Sequence, residues 1–143
     1  MSPLVRRYLR TAIGFLLAGL GLGIWMLIRR ELAGEYPTPR LISAHTHVIL
    51  VGFVMMMILG VALWMFPRPE RTDVQYRPAA AELAYWLLTV STTARFIGEV
   101  VRPSAPPLPQ RWVVVLAGVG QVVGLVLFFY NLLPRIRSTR KPG

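Results

Sequence analysis

The sequence predicts an all-α membrane protein, a four-transmembrane-helix bundle that forms one domain over residues 1–143. Hydrophobic residues make up 55% of the chain and charged residues only 15%, a balance outside that of water-soluble domains. The apolar residues fall into four blocks, each close to or above the ~18–20 residues that cross a membrane as a helix. Helices are expected because backbone groups in lipid must be hydrogen-bonded within their own segment. The blocks span residues 11–28, 41–66, 79–101 and 112–133.

Short connections rich in turn-forming residues separate the blocks. The first connection ends in Glu35-Tyr36-Pro37-Thr38-Pro39, and Pro67-Arg68-Pro69 ends the second block. Four prolines between residues 103 and 109 make the third connection stiff and extended. None of these connections is long enough for an extramembrane domain, so the chain is expected to form a single membrane domain.

The charge of the chain is strongly positive, with 16 Lys and Arg against 6 Asp and Glu and a net charge of +10. The basic residues separate apolar blocks instead of forming a patch with interleaved aromatics, which favours the lipid bilayer over nucleic acid as the partner. Ten of them lie on the side of the termini and five on the opposite side. The positive-inside bias therefore predicts a prokaryotic-type cytoplasmic membrane protein with both the N and the C terminus cytoplasmic. Since the chain has no Cys, thiolate metal sites and cysteine nucleophiles are excluded.

The two histidines of the chain, His45 and His47, lie near the outer start of the second block and are its candidate metal ligands. Positions two apart on a regular helix point about 200° apart, so the pair cannot bind one ion together. His45 shares its face with Gly52 and Met56, a small and soft surface that lets a helix or a flat ring approach closely. His47 lies above branched apolar side chains, namely Val51, Val54 and Ile58. The sequence therefore favours His45 as the ligand.

Two more ionisable residues lie inside the third block. Arg95 and Glu99 are four residues apart, so they can neutralise one another along one helix face, at roughly the depth of His45. Alternatively, Arg95 binds an anionic group of a ligand, and Glu99 orients Arg95 or a histidine. Met26, near the outer end of the first block, lies level with His45 and is a soft candidate ligand.

The second block resembles helix II of haem–copper oxidase catalytic subunits, nearest the nitric oxide reductase and cbb-type branches. It contains Arg40-Leu-Ile-Ser-Ala-His45-Thr-His47-Val-Ile-Leu-Val-Gly52-Phe-Val and continues through Gly60 to Trp64-Met-Phe-Pro67-Arg68. In that family a histidine near the outer start of helix II is an axial ligand of a low-spin haem. The resemblance implies that His45 binds haem b in this chain.

The other cofactor-binding candidates follow from the same resemblance. The second axial ligand would be Met26, His45 of a symmetric copy, or a side chain of a partner subunit. Arg40 and Arg95 would pair with the haem propionates, and Gly52 and Met56 would lie where the ring approaches.

Three functions remain open on the sequence alone. The first is a haem b-binding membrane protein that acts in electron transfer, sensing or haem handling, alone as a homo-oligomer or beside a larger respiratory haem protein. The second is a cofactor-free accessory subunit of a terminal oxidase or nitric oxide reductase. The third is copper handling, because histidine and methionine together suit copper. No histidine follows His47, so this chain is not expected to catalyse oxygen or nitric oxide reduction by itself.

Overall fold

A computed structural model describes residues 2–66, 77–101, 103 and 105–137, and every regular element within these ranges is helical. This confirms the all-α prediction for the described residues. The turn at Pro67–Pro69 and the basic residues after residue 137 lie outside them. The elements are α1 (Pro3–Ala33), α2 (Pro39–His47), a π-helix (Val48–Met55), α3 (Met56–Met65), α4 (Pro78–Val100) and α5 (Leu108–Arg137).

Local sequence signals explain where the helices begin and end. Pro3, Pro39 and Pro78 each occupy the first turn of a helix, where the missing backbone N–H costs no intrahelical hydrogen bond. The Ser2 hydroxyl accepts a hydrogen bond from the Val5 N–H at 3.3 Å and caps α1. At the other end of α1, Gly34 has a φ of 67°, a left-handed conformation that glycine adopts without a steric penalty.

Three stretches of the described chain are long and apolar enough to cross a membrane, which is the basis for treating the chain as an integral membrane protein. They are Pro3–Ala33, Pro39–Met65 and Leu108–Leu133. The 23 residues of α4 are long enough for a span, but Glu82, Arg95 and Glu99 make this helix more polar. The fourth span therefore stays a prediction.

Consecutive long helices run in opposite directions. At one end of the molecule, the Tyr8 hydroxyl at the start of α1 donates to the Ala81 carbonyl at the start of α4, at 3.1 Å. At the same end, the Arg77 N–H that precedes α4 donates to Asn131 Oδ1 in α5, at 3.0 Å. The start of α1 and the last turns of α5 consequently lie at one end, and His45 lies towards the other.

Glycines allow the helices to approach closely. A Cβ added at Gly52 would lie 2.7 Å from the Phe15 ring of α1, and one added at Gly60 would lie 3.0 Å from Tyr8 Cβ. In α5, a Cβ at Gly124 would lie 2.9 Å from Leu88 Cγ of α4. Such contacts replace the hydrophobic driving force that helices lack inside a lipid bilayer.

Filling one of these glycine contacts is expected to loosen the α4–α5 pair. Gly124→Val should lower the thermal unfolding midpoint in detergent, corresponding to a loss of about 1–3 kcal/mol, because the added methyls overlap Leu88. Gly14→Val is the matched control, since no heavy atom lies within 4 Å of a Cβ at Gly14. Equal midpoints for the two variants would contradict the α4–α5 packing described here.

Candidate functional site

The His45 imidazole is held against the backbone of α1. Its Nδ1 lies 2.9 Å from the Gly19 carbonyl oxygen. Because a carbonyl can only accept, Nδ1 carries a proton, and Nε2 is the ring nitrogen that presents a lone pair in the neutral imidazole. The hydrogen bond of the His45 ring to the described residues is made by Nδ1. Histidines that bind metals in proteins commonly share this arrangement, in which one ring nitrogen donates to a carbonyl and the other is the ligand.

Glycine in α1 creates the space for this imidazole. A Cβ added at Gly23 would lie 2.9 Å from His45 Cε1 and 3.7 Å from Nε2. A larger residue at this position would therefore push the ring away from α1. The two glycines thus act differently on the imidazole. The Gly19 carbonyl accepts its hydrogen bond, and the missing side chain of Gly23 leaves room for the ring.

Beside the imidazole lies a cleft of about 340 Å³ between α1 and the segment that leads into α2. It brings His45 together with Met26, the soft ligand that the sequence placed at the same depth. Arg30 also contributes to the lining and forms an ion pair with Glu31 at 2.7 Å. The cleft therefore combines the side chains of a histidine, a methionine and an arginine. Its lining residues are Gly23, Met26, Leu27, Arg30, Pro37 and His45.

Gly52 and Met56, which the sequence placed on the His45 face, lie outside this cleft. Phe15 of α1 packs against Gly52, and Met56 is fully buried in the core of the bundle. Gly52 lies seven residues and Met56 eleven residues further along the span than His45, which places both nearer the other end of the molecule. The sequence predicted that a helix or a flat ring approaches Gly52 closely, and in this structure it is the helix α1 that does so.

His47 lies on the α4 side of α2, opposite the side on which His45 contacts α1. Its Nδ1 donates to the Ser43 carbonyl one turn earlier in α2, at 2.9 Å. The Ser43 hydroxyl in turn donates to Glu99 Oε1 of α4, at 3.0 Å. The two imidazoles thus lie on different sides of α2, and no group of three His, Cys, Asp or Glu side chains within the described ranges is arranged to hold a metal ion.

Glu99 belongs to a set of polar side chains that links three helices. Its carboxylate is 6% exposed, and Arg95 Nε donates to Oε1 at 3.2 Å, as the spacing of the two residues predicted. Arg95 Nη1 donates to Gln121 Oε1 of α5 at 3.1 Å, and Gln121 Nε2 donates to the Thr92 hydroxyl at 3.1 Å. We call this set the polar network; it consists of Ser43, Thr92, Arg95, Glu99 and Gln121.

Neither of the two arginines predicted to bind propionates is a lining residue of the cleft. Arg40 donates to the Pro103 carbonyl at 2.7 Å, which fastens the start of α2 to the proline-rich connection. Arg95 donates to Glu99 and Gln121 inside the polar network. Arg30, which the sequence analysis did not single out, is the arginine that lines the cleft.

Taken together, the fold and the site define a helical integral membrane protein in which a histidine near one end of the second span is bonded to the first helix. The family model for cytochrome c and quinol oxidase polypeptide I matches residues 3–143. The chain therefore belongs to this family, which confirms the resemblance to haem–copper oxidase subunit I. Neither a curated protein nor a solved structure matches the chain.

Proposed function

We propose that this chain is a haem b-binding membrane protein in which His45 Nε2 is an axial ligand of the iron. The observation that carries the proposal is the hydrogen bond from His45 Nδ1 to the Gly19 carbonyl, which fixes the tautomer and leaves Nε2 free of protein partners in the described part of the chain. Membership of a family whose members bind haem supports the same cofactor. A haem bound here would supply one-electron chemistry for electron transfer or sensing.

The cleft fits one edge of a haem better than a whole one. Its volume of about 340 Å³ is near the lower end of the range of ~300–1,000 Å³ for small-molecule sites. Arg30 lies in the lining, where its guanidinium can pair with a propionate. The remainder of the ring and the second axial position would then be covered by a second copy of this chain or by a larger respiratory haem protein.

The proposal is tested by titrating haem into the detergent-purified chain and recording the visible spectrum. We expect a Soret band that saturates at one haem per chain, or at one haem per two chains if a second copy supplies the other ligand. A linear response without saturation, equal to that of haem in detergent alone, would contradict haem binding. In that case the cofactor-free accessory-subunit function would replace it.

Copper handling is a second candidate, favoured by the presence of Met26 and His45 in the same cleft. Imidazole and thioether together suit Cu(I), and a single ion needs far less space than a porphyrin. Elemental analysis of protein purified under reducing conditions separates the two candidates. Copper binding predicts about one copper per chain and its loss in Met26→Leu. Haem binding through His45 alone predicts no copper and a Met26→Leu variant that still binds haem.

We also propose that both termini face the cytoplasm, as the distribution of the basic residues predicts. A reporter fused after Gly143 should be active on the cytoplasmic side, and one inserted between Pro103 and Pro109 should be active on the opposite side. The alternation of the helices supports the placement of the last described turns of α5 and of the connection before α5 at opposite ends. The reverse pattern would invert the orientation and place His45 towards the cytoplasm.

A further inference from the structure

The short helix α2, which carries His45, is attached on two opposite sides. His45 donates to the Gly19 carbonyl of α1, and Ser43 donates to Glu99 of α4. Residues two positions apart point about 200° apart on a helix, so these two hydrogen bonds hold opposite faces of α2. A rotation of α2 about its axis would break both of them.

Backbone hydrogen bonds join α2 to the rest of its span, since the Val48 N–H donates to the Ala44 and His45 carbonyls. α2 has only nine residues, and the segment that follows is a π-helix of eight residues, a departure from the regular α-helical ladder. The two side-chain attachments act together with this backbone in defining which way His45 points.

The acceptor on the α4 side is itself held rigidly. Glu99 is 6% exposed, and Arg95 binds the same carboxylate oxygen that accepts from Ser43. Arg95 is in turn held by Gln121, which also bonds Thr92. The Ser43 hydroxyl thus meets an oxygen whose position is fixed by both α4 and α5.

The buried Glu99 carboxylate costs more free energy than an apolar contact between α2 and α4 would. Glu99 Oε2 is buried and has no hydrogen-bond partner in the described part of the chain, a state that costs free energy inside a bundle. Apolar side chains of similar size would join α2 to α4 without that cost. A buried carboxylate at this junction is consistent with a directional role, because it accepts from one defined hydroxyl on α2.

We infer that Glu99 is a positioning residue for the iron ligand: acting through Ser43, it fixes the rotation of α2 and so holds the His45 imidazole against α1. The role in haem ligation rests on the proposed function. The role in orienting the imidazole belongs to the apoprotein and is measured without haem.

The first test is nuclear magnetic resonance of the apoprotein with ¹⁵N-labelled histidine. In the wild type the Nδ1–H of His45 should exchange slowly with solvent, because it is bonded to Gly19. Ser43→Ala should accelerate this exchange about five- to tenfold, the factor that corresponds to loss of one hydrogen bond. Ser43→Thr retains the hydroxyl and should restore the slow exchange.

The control variant is Thr46→Ala. The Thr46 hydroxyl is exposed and donates only to the Ile42 carbonyl of its own helix, at 2.8 Å. Its removal should leave the His45 exchange rate unchanged. Glu99→Gln should also keep the slow exchange, because an amide oxygen still accepts from Ser43. Glu99→Leu has no acceptor and should accelerate the exchange as Ser43→Ala does; unchanged exchange in Glu99→Leu would contradict the role of Glu99.

In haem-loaded protein, Ser43→Ala should shift the midpoint potential and lower the low-spin fraction, and Thr46→Ala should change neither. Unchanged exchange in Ser43→Ala, or an equal acceleration in Thr46→Ala, would overturn the positioning role. A wild type that binds no haem but shows the expected exchange pattern would contradict the proposed function and leave the positioning role supported.

Discussion

His45→Ala is expected to remove haem binding, and His47→Ala is expected to retain it. His45 lines the cleft and its Nδ1 is bonded to Gly19, whereas His47 lies on the other side of α2 and donates to its own helix at Ser43. Loss of a partner that only orients a ligand typically reduces metal affinity 10–100-fold. Loss of the ligand itself should therefore reduce haem content by more than about tenfold.

The comparison uses protein that still inserts and folds, judged by its helical circular dichroism and a single peak in gel filtration. His47→Ala serves as the matched control, because it removes the same side chain two positions away. If His47→Ala lost the haem and His45→Ala kept a low-spin spectrum, the ligand would lie on the α4 side of α2. The assignment of the cleft would then be wrong.

Arg95→Leu is expected to have the largest effect on stability of any single substitution discussed here. It leaves the Glu99 carboxylate, only 6% exposed, without its cationic partner inside the bundle. Breaking a buried pair by removing one member typically costs about 3–5 kcal/mol, because the other charge stays buried and uncompensated. The thermal midpoint in detergent should fall sharply, or the variant should fail to accumulate.

Two further variants distinguish the loss of charge balance from a loss of packing. Arg95→Leu combined with Glu99→Gln removes both charges and should recover most of the lost stability. Arg7→Leu removes the partner of Glu82, but both side chains of that pair are about half exposed, so it should cost only about 0–1 kcal/mol. An Arg95→Leu variant as stable as Arg7→Leu would contradict the buried pair.

Composition and spacing were sufficient to predict most of the architecture. Apolar blocks bounded by arginines predict long helices, and α1 and α5 begin and end beyond the first and fourth blocks because flanking basic residues such as Arg6 and Arg30 continue the helix. The four-residue spacing of Arg95 and Glu99 predicts their ion pair, which forms at 3.2 Å. Met26 and His45 are predicted to lie at the same depth along their spans, and in the structure both line one cleft. These features are local, or follow from depth along a span.

Other features depend on contacts between helices and on a local change of helical phase. The placement of His45, Gly52 and Met56 on one face assumes a regular α-helix, whereas Val48–Met55 is a π-helix in the structure. Nothing in the sequence marks this change, since the segment is uniformly apolar. Ser43 and Gln121 were likewise missed, because a serine or a glutamine in an apolar block does not indicate which neighbouring helix it meets.

The central claim is that a haem iron binds to His45, and a reduced-minus-oxidised visible spectrum of the purified wild type reconstituted with haem b tests it most directly. We expect the sharp α-band of a low-spin b-type haem, present in His47→Ala and absent in His45→Ala. A featureless difference spectrum for the wild type, or a low-spin α-band of equal height in His45→Ala, would contradict the claim.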